Sequence, residues 1–290
     1  MSGIDGGRDP RGNGPGAIGG GDRETKGPSD IDGGLDPRTI GDPSTVPDAH
    51  PARDPRRRTP AGRTVPGANY PPTTEPVTFS LDGTEITAEP GETILQAAER
   101  HGLRIPRLCY MEGMRADGNC RACVVEIEGE RVLAPSCCRS PKPGMKVSAK
   151  SDRAIHSQRM VLELLLSDMP ETPHRPDSEL RVWADTMGVT EPRFAAREQP
   201  APDFSHPAIE VRLDACIQCT RCVRACREVQ VNDVIGYASR GHDAKIVFDL
   251  DDPMGVSTCV ACGECVQACP TGALLPAVPL VVRAALRRED

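Results

Sequence analysis

From residue 77 the chain takes on a two-residue rhythm. Val77, Phe79 and Leu81 alternate with polar neighbours, Asp82-Gly83 offers a tight turn, and Ile86 and Ala88 resume the alternation. Residues 77–81 and 85–88 therefore predict a hairpin with one buried face. The period then changes. Ile94, Leu95, Ala98 and Leu103 recur at helical spacing behind Gly91-Glu92-Thr93, which predicts a capped helix. Apolar stretches at 124–127, 131–133 and 145–147 predict three more short strands. Further on, Ile155, Met160, Val161, Leu162, Leu164 and Leu165 form a broad helical stripe behind a Ser151-Asp152 cap. A second helix is expected at 178–187, carrying Trp183, the single tryptophan of the chain.

Residues 1–75 lack any such rhythm. Gly, Pro, Asp and Arg dominate, apolar residues stand alone, and such a segment buries too little surface to offset its ordering entropy, so a disordered tail is expected. Within it, residues 14–19 match G-x-G-x-x-G, but the strand and helix that give that pattern its meaning are missing. The formal net charge of −7 speaks against a nucleic-acid partner. No run of about 18 apolar residues suggests membrane insertion, and residues 1–8 have no signal-peptide character. A cytoplasmic location is the expectation.

Thirteen cysteines change the picture. Cys216, Cys219, Cys222 and Cys226 follow C-x2-C-x2-C-x3-C, and Cys259, Cys262, Cys265 and Cys269 repeat it before Pro270. That spacing suits two [4Fe–4S] clusters, because three thiolates on a tight loop grip one cube and the fourth, on the following helical turn, completes the other. Cys216, Cys219, Cys222 and Cys269 are thus assigned to the first cluster. Cys226, Cys259, Cys262 and Cys265 are assigned to the second. Zinc sites pair cysteines differently, and disulfides need oxidising surroundings.

Four more cysteines fall in the strand-rich region. Cys109, Cys120, Cys123 and Cys137 are spaced C-x10-C-x2-C-x13-C, which fits one [2Fe–2S] cluster inside a β-grasp frame. Gly118 would let the backbone close around it. Cys138 is set aside as a small buried hydrophobe, on the ground that neighbours in an extended segment point opposite ways. His156, His174 and His206 have no thiolate neighbours in sequence and are given no metal.

The fold class expected is α+β. Its parts are the tail at 1–75, a plant-type [2Fe–2S] ferredoxin domain at 76–150, a helical connector without cluster ligands at 151–207, a bacterial-type 2[4Fe–4S] ferredoxin domain at 208–276 and an extension at 277–290. The stretches 119–128, 214–230 and 259–274 closely resemble the N-terminal electron-transfer region of the catalytic subunit of molybdenum- or tungsten-dependent, NAD-linked formate dehydrogenases. The iron–sulfur subunits of NAD-reducing hydrogenases and of respiratory NADH dehydrogenase are similar at lower resolution. The resemblance implies cluster content and a relay role, with iron held by the twelve cysteines named. It also implies two partners, a flavin/NAD-binding subunit and a separate catalytic subunit of molybdopterin or hydrogenase type. Two departures matter. The His-x3-Cys-x2-Cys-x5-Cys site of many such relatives is missing, and the sequence reaches Asp290 without a molybdopterin domain. No catalytic residue is assigned, and a free-standing soluble carrier is the other class of function.

Overall fold

The computed structural model describes residues 74–277, and the tail and C-terminal extension lie almost wholly outside that range. The first strands are β1 (Val77–Leu81) and β2 (Thr84–Ala88), an antiparallel hairpin with Phe79 opposite Ile86. Helix α1 (Ile94–Arg100) starts at Thr93, whose hydroxyl accepts from Gln96 N while the Gln96 side chain takes the Thr93 N–H. This reciprocal capping box satisfies two otherwise orphaned donors. Strands β3 (Val124–Ile127), β4 (Ala134–Pro135) and β5 (Lys146–Ser148) complete a five-stranded sheet of order β2-β1-β5-β3-β4, with β1 and β5 parallel at its centre. Phe79, Leu81, Ile86, Val125, Ile127 and Val147 bury one face of it against Ile94, Leu95, Ala97 and Ala98 of α1.

One predicted strand is displaced. Residues 131–133 are bends, and pairing starts only at Ala134 and Pro135, which face Val125 and Val124. Val132 is exposed and has no place in the buried face, so apolar character at 131–133 was a poor guide. Leu103 falls after α1 has ended and packs against the core from there.

The middle of the chain forms α2 (Asp152–Ser167), capped by the Ser151 hydroxyl, and α3 (Glu179–Thr186). Gln158, buried on α2, donates to the carbonyls of Val124 at 2.8 Å and Ala149 at 3.3 Å, which ties the helix to the sheet. At the other end, Glu179 N donates to the Pro270 carbonyl at 2.8 Å. Leu162, Leu166, Leu180 and Trp183 share one apolar cluster with Leu108 and Ala122 from the first module and Ile217 from the last. The connector is therefore the common core of both ends.

The last module pairs β6 (Ile209–Val211) with β9 (Leu274–Pro276), and β7 (Ile235–Ala238) with β8 (Lys245–Phe248). Two short helices, α4 (Arg221–Arg224) and α5 (Glu264–Ala268), lie between, and α4 runs straight into one wider π-type turn, Ala225–Val229. Among the described residues no helix is long and apolar enough to cross a membrane.

Candidate metal centres

Loops with unusual backbones carry the cysteines. In the run from Cys216, Gln218 and Thr220 have positive φ, and at the matching places of the second run Ala261 and Gly263 do the same. The repeat at positions three and five of each run is a backbone requirement, because left-handed residues curl the chain so that successive thiols face one point. Non-glycine residues in that region cost about 1–2 kcal/mol each and concentrate at functional loops. Only Gly263 announces this conformation in the sequence.

Around the first run a small pocket is lined by Cys216, Cys219, Cys222 and Cys269, with Ile246 and Leu274 behind them. Cys269 thus joins the three thiols of the other run. Cys265 in turn lies within electrostatic reach of Cys259, Cys262 and Cys226, and burial and their charges push its thiol up. Cys226 sits on the π-type turn, two residues past the end of α4. Burial pushes the Cys216 thiol up to about 11 and the Cys219 and Cys265 thiols up to about 12. Arg197 at Cys216 and Arg221 at Cys219 already favour the thiolate, and bound iron would supply further positive charge. Among the described residues no three His, Cys, Asp or Glu side chains converge as on one metal ion. The thiols of Cys216, Cys219, Cys222 and Cys269 surround a small volume instead, a spacing that suits a polynuclear cluster.

The four cysteines of the first module also meet. Cys109 is pushed down by thiol hydrogen bonds from Cys120 and Cys137, and Cys137 is pushed up through its bonds to Cys109 and Cys123. Backbone N–H groups point at sulfur in every module, from Cys109 to Cys120 Sγ at 3.3 Å, from Val234 to Cys226 Sγ at 3.4 Å and from Ala261 to Cys259 Sγ at 3.4 Å. Such donors favour the thiolate and tune a bound cluster. Donor type, number and grouping all fit iron–sulfur clusters.

Cys138 departs from its expected geometry. Residues 136–138 form a turn, not an extended segment, so both side chains of the Cys137-Cys138 pair lie near each other, Sγ to Sγ 3.6 Å. Its sulfur fills the space beside Gly118, where an added Cβ would meet Cys138 Sγ at 3.0 Å. Gly118 also has φ +61°. Gly118→Ala should therefore lower stability by about 1–2 kcal/mol from the backbone alone. Cys138→Ala in the same chain should relieve only the steric part, a non-additivity that anaerobic thermal inactivation rates of the four variants would show.

The histidines have local partners. His206 Nδ1 accepts from the N–H groups of Ala208 and Ile209, each at 3.1 Å, and His174 Nε2 lies 2.8 Å from Asp214 Oδ2. Sequence reasoning passed over Arg221 and Arg224, the two large charged side chains of α4, which are buried. Their signal was spacing, because residues three apart flanking Cys222 leave one face of a single helical turn.

Residues 74–152 match the family model of the 2Fe-2S iron-sulfur cluster binding domain, and residues 206–275 match that of the NADH-quinone oxidoreductase subunit 3 ferredoxin-like domain. In the crystal structure of NAD+-reducing [NiFe]-hydrogenase in the H2-reduced state, one chain is 31% identical, with a TM-score of 0.65, covering 70% of this chain and 88% of that one. This protein belongs to that iron–sulfur family. Curated members similar to it include the NADP-reducing hydrogenase subunit HndD of Solidesulfovibrio fructosivorans, 36% identical over 69% of this chain and 36% of its own length. An NADH-quinone oxidoreductase subunit of Rhizobium meliloti is 33% identical over 69% of this chain and 24% of its own. The putative formate dehydrogenase SH0748 of Staphylococcus haemolyticus is 28% identical, over 69% and 21%. The match thus spans only about a fifth to about a third of the length of these curated family members.

Proposed function

We propose that the chain is an iron–sulfur electron-transfer subunit of an NAD-linked oxidoreductase complex, relaying single electrons between a flavin/NAD-binding subunit and a separate catalytic subunit. What supports this reading is the convergence of Cys109, Cys120, Cys123 and Cys137 in one module and of Cys216, Cys219, Cys222 and Cys269 in the other, within one continuously packed body. On this reading Cys109, Cys120, Cys123 and Cys137 hold one [2Fe–2S] cluster. Cys216, Cys219, Cys222 and Cys269 hold one [4Fe–4S] cluster, and Cys226, Cys259, Cys262 and Cys265 hold another. Bound clusters supply reversible one-electron storage. The chain's own residues orient the thiolates through left-handed loops, donate N–H groups to sulfur and bury eight of the twelve cysteines. We assign no substrate-converting residue to it.

Formate is our first substrate for the complex, on the motifs at 119–128, 214–230 and 259–274. Hydrogen is the second, favoured by the identity to HndD and by the coverage of the [NiFe]-hydrogenase chain. Purification of the tagged chain from its native cell, without oxygen, tests both. The expected result is about ten irons and ten labile sulfides per chain, together with a flavin subunit and a molybdopterin subunit. A hydrogenase subunit in place of the latter selects the second reading. A lone monomer that exchanges electrons with several reductases would make it a free carrier and overturn the subunit reading.

A further inference from the structure

Two guanidinium groups are sealed between the thiols of the first module and the first run of the last. Arg221 and Arg224 are only 1% and 3% exposed. Arg221 closes its fork on Glu179 at 2.7 and 2.8 Å and also donates to the Tyr110 carbonyl at 2.6 Å. Its charge is matched. Arg224 is different. Its Nη2 donates to the carbonyl of Cys109 at 2.6 Å and to the carbonyl of Cys219 at 3.3 Å, and its Nη1 donates to the carbonyl of Arg115. Asp117 Oδ2 stands 4.0 Å from Arg224 Nε, which has no hydrogen-bond partner. Asp117 is shared besides with Arg115 and the Thr220 hydroxyl.

A buried cation paired this loosely is costly unless other negative charge lies near. On the relay reading, two sets of four cysteine thiolates supply it, because Arg224 contacts the backbones of Cys109 in one set and Cys219 in the other. We propose that Arg224 is the junction of the relay, a positioning residue that spans the backbones of Cys109 and Cys219, fixes the spacing of their two sites and raises the reduction potentials of both clusters. This rests on the relay reading above. An electron lost at one site is gained at the other. Adding that electron places negative charge beside a fixed positive one in a poorly screened interior, so the reduced form of either neighbouring cluster is stabilised. The second four-iron site, whose cysteines make none of these contacts, should not share the effect.

The test is a potentiometric titration of the anaerobically purified full chain, with each cluster followed by its EPR signal. Arg224→Gln keeps an amide donor and removes the charge. At a fixed potential its reduced-to-oxidised ratio should fall about tenfold at the two-iron and first four-iron sites, equal to about 59 mV for one electron, and stay put at the second. Arg224→Lys, which keeps the charge but loses the two-carbonyl fork, should recover most of the shift. Asp117→Asn removes the loose counter-charge and should move the same two clusters the other way. Iron-replete Arg224→Gln protein with unmoved potentials, or with all three moved equally, overturns the junction and leaves the relay standing. If that variant loses iron, Asp117→Asn decides alone, and no upward shift overturns the proposal. Wild-type protein without labile sulfide overturns the relay reading itself.

Discussion

Cys226→Ser should cost the protein the four-iron cluster of Cys259, Cys262 and Cys265, although Cys226 lies in the other run. Cys226 sits on the π-type turn after α4 and contributes its charge at Cys265, whereas the pocket of the first run is lined by Cys269. Iron should fall from about ten toward about six per chain, the loss of one cubane. Cys269→Ser should remove the same amount from the first cluster. Mössbauer and EPR spectra of the two variants separate the cases, since each retains the cluster that the other loses. Spectra in which Cys226→Ser alters only the cluster of Cys216, Cys219 and Cys222 would refute the crossed assignment.

Trp183→Ala should be the most damaging change outside the cysteines. Trp183 is buried on α3 within the apolar cluster that reaches from Leu108 to Ile217, and the guanidinium of Arg104 lies over its ring at 5.5 Å. Truncating a buried tryptophan costs about 3–5 kcal/mol. Phe194 is 41% exposed, so Phe194→Ala is the control and should stay within about 0.5 kcal/mol. Because clusters and chain unfold together, the comparison is made on thermal inactivation rates under matched anaerobic conditions and not on an equilibrium midpoint. Equal rates for the two variants would mean that the connector does not hold the modules together.

Much of this was legible in the sequence. Alternation at 77–88 and the helical period behind Thr93 foretold β1, β2 and α1, because both patterns report directly which face is buried. Ser151 and Ser178 marked the starts of α2 and α3 within a residue. The cysteine spacing pointed to clusters because C-x2-C-x2-C-x3-C is a local pattern and occurs twice. What escaped depends on distant parts of the chain. The strand expected at 131–133 forms at Ala134 and Pro135 because pairing, not apolar character, decides where a ladder starts. Cys138 was placed by an extended-strand rule that fails in a turn. Arg221 and Arg224 read as ordinary charges until the first module covers them, and the left-handed Gln218, Thr220 and Ala261 carry no glycine to reveal them.

The shared core of the connector has a consequence for control. A carrier domain on a flexible tether delivers electrons at a rate set by how often it visits its partner, and that rate can be throttled by tether length, salt or crowding. Here Gln158 fastens α2 to the first module, Glu179 fastens α3 to the last, and one apolar cluster runs through both. On the proposed relay reading the chain is a wire, not a shuttle. Traffic between its first two sites would then be insensitive to viscosity and concentration, so regulation of flow would have to act where electrons enter and leave. Cys262 is the exposed cysteine of the last module, and on that reading occupancy of its surface would connect or disconnect the wire.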